Sequence, residues 1–160
     1  MITSRLMLTL ALVLALGCAS GFVSKEITPF DFSSTPKELV LLSGSAYDPE
    51  IRMALASQGF KVKKLSSVHE IEEEARSGEK RSYSKAEARI GMTIYLGGIL
   101  DVCIGNASIV KFSKVTWELS DLETNQVLLY LSNGGWTSQC GIHRNTLWEP
   151  LAEALAAKWQ

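Results

Sequence analysis

The sequence predicts an α/β domain, a two-layer sandwich in which a mixed sheet of about five strands carries about three helices, mainly on one face. Three patterns predict it: an apolar run, a helix and an alternating segment between residues 38 and 65; a long alternating segment over 86–104; and two alternating segments joined by a polar turn over 110–131. The 160 residues, 46% hydrophobic and 21% charged, fit one globular domain. A formal net charge of −1 lacks the basic excess of a nucleic-acid-binding protein, so no nucleic-acid partner is expected.

The amino terminus has the three parts of a secretory signal. One positive charge lies between Met1 and Arg5, an apolar segment runs from Leu6 to Leu16, and small residues follow it. Eleven helical residues span about 16 Å, well short of a hydrocarbon core of about 30 Å. Residues 1–17 are therefore predicted to be a signal peptide, with an uncleaved membrane anchor as the alternative.

The end of this segment, Ala15-Leu16-Gly17-Cys18, resembles the lipobox of bacterial lipoproteins. The resemblance implies that Cys18 receives a diacylglyceryl group, that cleavage occurs just before it, and that the new amine is acylated, for example with palmitate. Ala19 follows the cysteine where Asp would signal retention at the inner membrane in lipoproteins of enteric type. The expected location is therefore the periplasmic face of the outer membrane. Another membrane surface, or plain secretion after cleavage near Ala19 or Ser20, is the alternative.

The processed chain is predicted to be a lipidated tether over 18–37 and one domain over 38–160. The tether has no sustained periodicity, although its apolar residues allow part of it to dock as an extended arm. The run from Glu38 to Leu42 predicts a buried strand. Asp48 is suited to cap a helix whose first residue is Pro49 and which ends at Gly59. A strand over 60–65 then completes a right-handed crossover between parallel strands.

The second half of the chain predicts a helix, a long strand, a hairpin and a final helix. Ser67 and Glu70 form a capping box for a helix over about 68–76. Residues 86–104 read as one two-faced strand with a bend at Gly97-Gly98. Residues 110–119 and 126–131 form a hairpin around a turn over 121–125, and the apolar spacing after Leu147 indicates a carboxyl-terminal helix.

This order of elements resembles small α/β modules of periplasmic lipoproteins, notably the amino-terminal domain of the translocation protein TolB and the curli-secretion lipoproteins. The resemblance is topological and covers residues 37–159. It implies a role in the assembly of the cell envelope.

Cys103 and Cys140 remain when Cys18 is acylated, an even pair in an oxidising periplasm. A disulfide between them would close a loop of about 38 residues and contribute roughly 4 kcal/mol in the chain-entropy model. The alternative is two buried thiols.

No catalytic residue, metal ligand or cofactor site is expected. Cys140 and His143 are spaced like a nucleophile and base, or like two metal ligands, but a structural zinc site usually has four ligands. His69 begins a metalloprotease-like pattern that lacks the second histidine. Trp117 and Trp136 would form an apolar patch for a partner if they projected from the sheet face that the helices leave open. The alternative is that they fill the core beneath the last helix.

These features predict a noncatalytic, membrane-anchored interaction or assembly module of the cell envelope. Its expected partners are the lipid bilayer, through acylated Cys18, and other envelope proteins. The alternatives are a carrier or receptor for a small apolar ligand and a hydrolase of envelope material.

Overall fold

The computed structural model describes residues 22–63, 70–74, 80–84, 88–141 and 146–160, with the backbone alone for 70–74 and 80–84. The strands in these ranges are β1 (Val23–Glu26), β2 (Glu38–Leu41), β3 (Lys61–Lys63), β4 (Glu70–Glu74), β5 (Lys80–Ser84), β6 (Ile90–Leu96), β7 (Ile99–Cys103), β8 (Asn106–Asp121) and β9 (Gln126–Trp136). The helices are α1 (Asp48–Ser57) and α2 (Trp148–Ala156), and a 3-10 turn, Ala157–Trp159, follows α2.

Seven of these strands form one mixed sheet in the order β1-β9-β8-β6-β2-β3, with β7 paired to β8 beyond the end of β6. Strand β2 is parallel to β3 and β6, and the other pairs of this sheet are antiparallel. The mixed α/β class is confirmed. The predicted number of strands is wrong, because β1 joins the sheet and the strand predicted over 86–104 is divided into β6 and β7. Two α-helices are described rather than three.

The core lies on one face of this sheet, beneath both helices. Alternate residues of the central strands join the buried sides of α1 and α2 in a single apolar cluster. Trp148, at the start of α2, is fully buried, and its indole N–H donates to the carbonyl of Thr137 at 2.8 Å. Neither described helix is long and apolar enough to cross a bilayer.

The β2-α1-β3 crossover follows the sequence prediction, with one difference at the helix start. Gly59, at φ +83°, ends the helix as predicted, and β2 and β3 are parallel. Asp48 does not cap the helix, because it is the first helical residue. Its carboxylate accepts hydrogen bonds from the backbone N–H and hydroxyl of Ser45, at 2.9 and 2.8 Å. The side chain therefore stabilises the loop before the helix.

The helix predicted over 68–76 is not observed in its described part, because Glu70–Glu74 is strand β4. It pairs antiparallel with β5, and the register places Glu73 opposite Arg81 and Glu74 opposite Lys80. A helix would bring Glu70 and Glu74 together as like charges, whereas this pairing sets opposite charges across from each other. The capping serine, Ser67, lies outside the described residues.

The segment predicted as a tether is part of the domain from Phe22 onwards. Strand β1 pairs with β9, and the ring of Phe32 is buried with its centroid 4.6 Å from that of Trp159. Trp159 donates its indole N–H to the carbonyl of Thr35 at 2.9 Å. Residues 22–37 are therefore a docked arm, as the sequence allowed, and not a free spacer: Phe32 is buried, and Phe22 and Phe30 are partly buried against the core.

An ion pair between buried Asp121 and the partly exposed Arg89 joins β8 to the loop before β6. The guanidinium of Arg89 donates to both oxygens of buried Asp121, at 3.2 and 2.9 Å, and lies 5.0 Å from the ring centroid of Phe30. This hydrogen bonding lowers the pKa of Asp121 and raises that of Arg89. Through the contact of Arg89 with Phe30, the pair links the amino-terminal segment to the end of β8.

Candidate functional site

The sheet extends past its helical layer as a hairpin made of β7 and the first half of β8. Strands β6 and β7 form one long bent strand along β8, as predicted for residues 86–104. The bend lies at Gly97-Gly98, where the N–H of Gly97 donates to the carbonyl of Lys114 at 2.8 Å. The N–H of Ser113 donates to the carbonyl of Gly98 at 2.9 Å. A bulge at 113–114 in β8 faces this bend.

Glycines flank the bulge on both neighbouring strands. A Cβ atom at Gly97 would lie 2.5 Å from the carbonyl oxygen of Lys114, and one at Gly134 would lie 2.5 Å from that of Ser113. Real side chains do not approach a backbone oxygen so closely, so the three backbones meet at this level only because both neighbours are glycine. The direction of the hairpin is therefore set by the main chain.

A disulfide fixes the end of the hairpin to the segment that follows β9. Cys103 and Cys140 are bonded, with their Cα atoms 5.8 Å apart and 37 positions apart in sequence. The predicted bond is confirmed. It ties the turn of the hairpin to the chain that leads towards α2.

The hairpin exposes several apolar side chains. Four aliphatic side chains on it, here called the apolar hairpin surface, are exposed: Ile99 (58%), Leu100 (65%), Val102 (44%) and Ile104 (100%). Exposed aliphatic residues grouped on a single element mark a contact surface more often than scattered ones do. Sequence reasoning missed this surface, although the loss of alternation after Gly98, where Ile99 and Leu100 are adjacent, was the available signal.

The register explains why the side chains of the hairpin are not covered. Ile99 lies opposite Phe112, and Val102 lies opposite Val110, both of which point into the core. The ring centroid of Tyr47 is 5.7 Å from that of Phe112, which closes the core at this level. Ile99 and Val102 therefore continue the core-facing side of the sheet beyond its covering layer.

The polar groups of the hairpin are few and balanced. Asp101 and Lys111 face each other across β7 and β8, and they are the only two charged residues between 99 and 112. One carboxylate oxygen of Asp101 accepts a hydrogen bond from the N–H of Val102 at 2.8 Å. The hairpin therefore carries no net formal charge, and one amide of the edge strand is already occupied.

Trp117 does not contribute to an apolar patch on the open face of the sheet, one of the two arrangements that the sequence allowed. Trp117 is fully buried, because its position between Ile94 and Leu131 points it towards the helices. Its indole nitrogen has no hydrogen-bond acceptor within the described ranges. Trp136, at the end of β9, is half-buried opposite Lys111. The alternative of core filling is the correct one for Trp117.

The open face of the sheet carries polar side chains instead. The hydroxyl of Tyr95 donates to the carboxylate of Glu118 at 3.3 Å, and Tyr130 lies opposite Glu118 in register. The negative charge of Glu118 raises the pKa of Tyr95, and hydrogen bonding to it raises that of Tyr130. Both phenols therefore stay protonated near neutral pH, where they are donors rather than bases.

A groove of about 470 Å³ lies between α1 and the start of α2. It opens to solvent, and its walls include Glu50 and Glu149 as well as Met53 and Trp148. Thr146, also on its wall, hydrogen-bonds to Glu149 at the helix start. The groove is therefore lined by apolar side chains together with two carboxylates.

The remaining sequence candidates fall outside the described ranges. Cys18, His69 and His143 are among them, so their surroundings are not described. No three potential metal-ligating side chains come together within 22–63, 88–141 and 146–160.

Comparison with known proteins gives a weak structural likeness. No protein-family model matches the chain, and no curated protein matches its sequence. Two crystal structures of the PelC dodecamer from Paraburkholderia phytofirmans are similar in fold. A single-substitution variant in space group C2 is 15% identical, with a TM-score of 0.45, covering 86% of this chain and 98% of that one. The form in space group P6 is 16% identical, with a TM-score of 0.39, covering 86% and 94%. Similarity at this level does not bear on function.

Proposed function

We propose that this chain is a noncatalytic, membrane-anchored interaction or assembly module of the bacterial cell envelope. In this proposal acyl chains on Cys18 hold it at the periplasmic face of the outer membrane. The observation that carries the proposal is the lipobox-like segment ending at Cys18, only four residues before Phe22, where the described domain begins.

Lipidation accounts for stable attachment through simple energetics. Each buried methylene contributes about 0.8 kcal/mol, and a single acyl chain gives only marginal binding. Two or three chains on one residue make attachment durable. Confinement to a surface then raises the local concentration of the domain, which favours weak contacts with neighbouring components.

Two features of the described domain support this proposal. A disulfide between Cys103 and Cys140 is of the kind that persists in oxidising compartments such as the periplasm. The apolar hairpin surface gives the domain a region that can bind a partner without catalysing a reaction. The carrier alternative requires an enclosed apolar cavity, whereas the groove between the helices is open to solvent and has two glutamates on its walls.

The test is whether Cys18 carries lipid. Wild-type protein, Cys18→Ser and the matched control Ser20→Ala would be expressed with labelled palmitate and partitioned between water and detergent. We expect wild type and Ser20→Ala to incorporate label and enter the detergent phase, and Cys18→Ser to do neither. A Cys18→Ser protein that partitions like wild type contradicts the anchor.

A further inference from the structure

The chain enters the domain at the same end of the sheet as the hairpin. Val23 lies opposite Ser132 in β9, which lies opposite Thr116 in β8. Because β1 and β9 are antiparallel, going back along β1 from Val23 corresponds to going forward along β9 towards Trp136. Trp136 lies opposite Lys111, and the hairpin turn lies beyond it in the same direction. The entry of the chain and the hairpin turn are therefore on one side.

The hairpin extends further in this direction than the anchor segment can reach. Five residue steps separate Cys18 from Val23, and at 3.3–3.6 Å per residue they span at most about 18 Å. From Thr116, level with Val23, to Asn106 at the turn is ten residues, or roughly 30 Å of strand before the bulges are allowed for. If Cys18 holds the domain at a membrane surface with the strands perpendicular to that surface, the hairpin turn therefore reaches the membrane.

The chemistry of the hairpin suits the lipid interface. Its turn carries the fully exposed Ile104, and the adjacent strand exposes Leu100. Its two charges are opposite in sign and face each other. Insertion of this element would thus bury aliphatic groups without moving a net charge into a medium of low dielectric constant.

The edge strand β7 is poorly suited to pairing with the edge of a second copy of the chain. Such pairing needs a row of unoccupied N–H and C=O groups along the edge strand. The N–H of Val102 is already bonded to the side chain of Asp101, and the register of β7 is interrupted by irregularities at both ends. The edge is therefore short and irregular, whereas its side chains are aliphatic.

We infer that the apolar hairpin surface is a membrane-contact element that inserts into the phospholipid interface beside the acylated cysteine. Its occupant is a phospholipid surface, and Ile104 enters it most deeply. The inference rests on the proposed function, since it places Cys18 at that surface. It adds a second point of contact, which fixes the orientation of the domain relative to the bilayer.

The test is photo-crosslinking in cells from single positions of the full-length protein. The photoreactive residue p-benzoylphenylalanine would replace Ile104, or one of two exposed control positions, Met53 on α1 and Thr124 in the turn at the opposite end of β8. Ile104 is fully exposed, so this replacement leaves the core intact. The adducts would be identified by mass spectrometry as phospholipid or protein.

We expect phospholipid adducts at position 104 to exceed those at 53 and 124 by at least ten-fold. Protein adducts alone at 104 would overturn the inference in favour of a protein partner, and adducts between identical chains would assign the surface to a second copy. Equal lipid labelling at all three positions would also overturn it.

Palmitate labelling of the same samples separates this inference from the proposed anchor. Lipidated protein without phospholipid adducts at 104 refutes the hairpin contact and leaves the anchor standing. Protein that carries no palmitate refutes the anchor. In that case the same photoreactive proteins, mixed with vesicles of phosphatidylethanolamine and phosphatidylglycerol, decide the hairpin contact by the same ratio of adducts.

Discussion

Removing the disulfide should destabilise the domain by an amount that its loop length sets. The bond joins Cys103 to Cys140, 37 positions apart. In the chain-entropy model, closing a loop of about 38 residues lowers the entropy of the unfolded chain by roughly 13 cal/mol/K, or about 4 kcal/mol at 25 °C. We therefore expect a Cys103→Ala/Cys140→Ala double variant to lose about 3–4 kcal/mol of unfolding free energy.

Urea denaturation followed by tryptophan fluorescence measures this loss. Trp117 and Trp148 are fully buried, so their emission reports opening of the core. With a urea m-value of about 2 kcal/mol/M, the midpoint should fall by roughly 1.5–2 M. Wild-type protein kept in reductant is the matched control, and its midpoint should agree with that of the double variant.

The reasoning fails if the unfolding free energy of the double variant is within about 1 kcal/mol of that of the oxidised wild type. That result would mean that the unfolded chain already holds residues 103 and 140 close together, or that the bond strains the folded state. Agreement between the reduced wild type and the variant excludes loss of cysteine packing as the cause of a larger effect.

Substitutions at three further positions test the sheet and its core. Gly97→Ala should cost at least about 1–3 kcal/mol in urea unfolding, because the added Cβ would meet the carbonyl oxygen of Lys114 at 2.5 Å; a near-wild-type midpoint would contradict this. Trp117→Phe should stay within about 1 kcal/mol of wild type, since it removes an indole N–H without a described acceptor, whereas Trp117→Ala should lose about 3–5 kcal/mol; equal losses would refute the distinction. Asp121→Asn should cost about 1–2 kcal/mol at pH 7, a figure reduced because Arg89 is partly exposed. Since folding lowers the pKa of Asp121, its contribution is present above a pH of about 4 and is lost as pH falls through the folded pKa, so the wild-type advantage should shrink in acid.

The parts of the fold that sequence predicts best are those in which local pattern and tertiary contact agree. Strand β2 is a continuous apolar run, and Gly59 adopts the positive φ that ends α1, so the crossover follows from short-range signals. The alternation in β8 and β9 is likewise read directly as a hairpin. The disulfide was predicted from the number of cysteines and from the expected oxidising compartment. Hydrophobic periodicity carries no information about such a bond.

The errors arise where the chain has a local alternative. The glutamates of β4 favour a helix by intrinsic propensity. Only the pairing of β4 with β5 selects a strand instead, and a short stretch of sequence around β4 does not contain that information. Alternation places Trp117 on one face of β8, but which face the helices cover depends on how distant elements pack. The segment before β2 lacked periodicity because β1 has only four residues and the aromatic residues beyond it pack individually.

Mutational tolerance should differ sharply between the bend and the tip of the hairpin. A side chain at Gly97 or Gly134 would collide with the backbone of the bulge in β8, so neither glycine can change unless that bulge moves. Ile104, by contrast, faces solvent and can be exchanged at almost no loss of stability. Substitutions at the tip can therefore change its hydrophobicity without changing the angle at which the bend presents it.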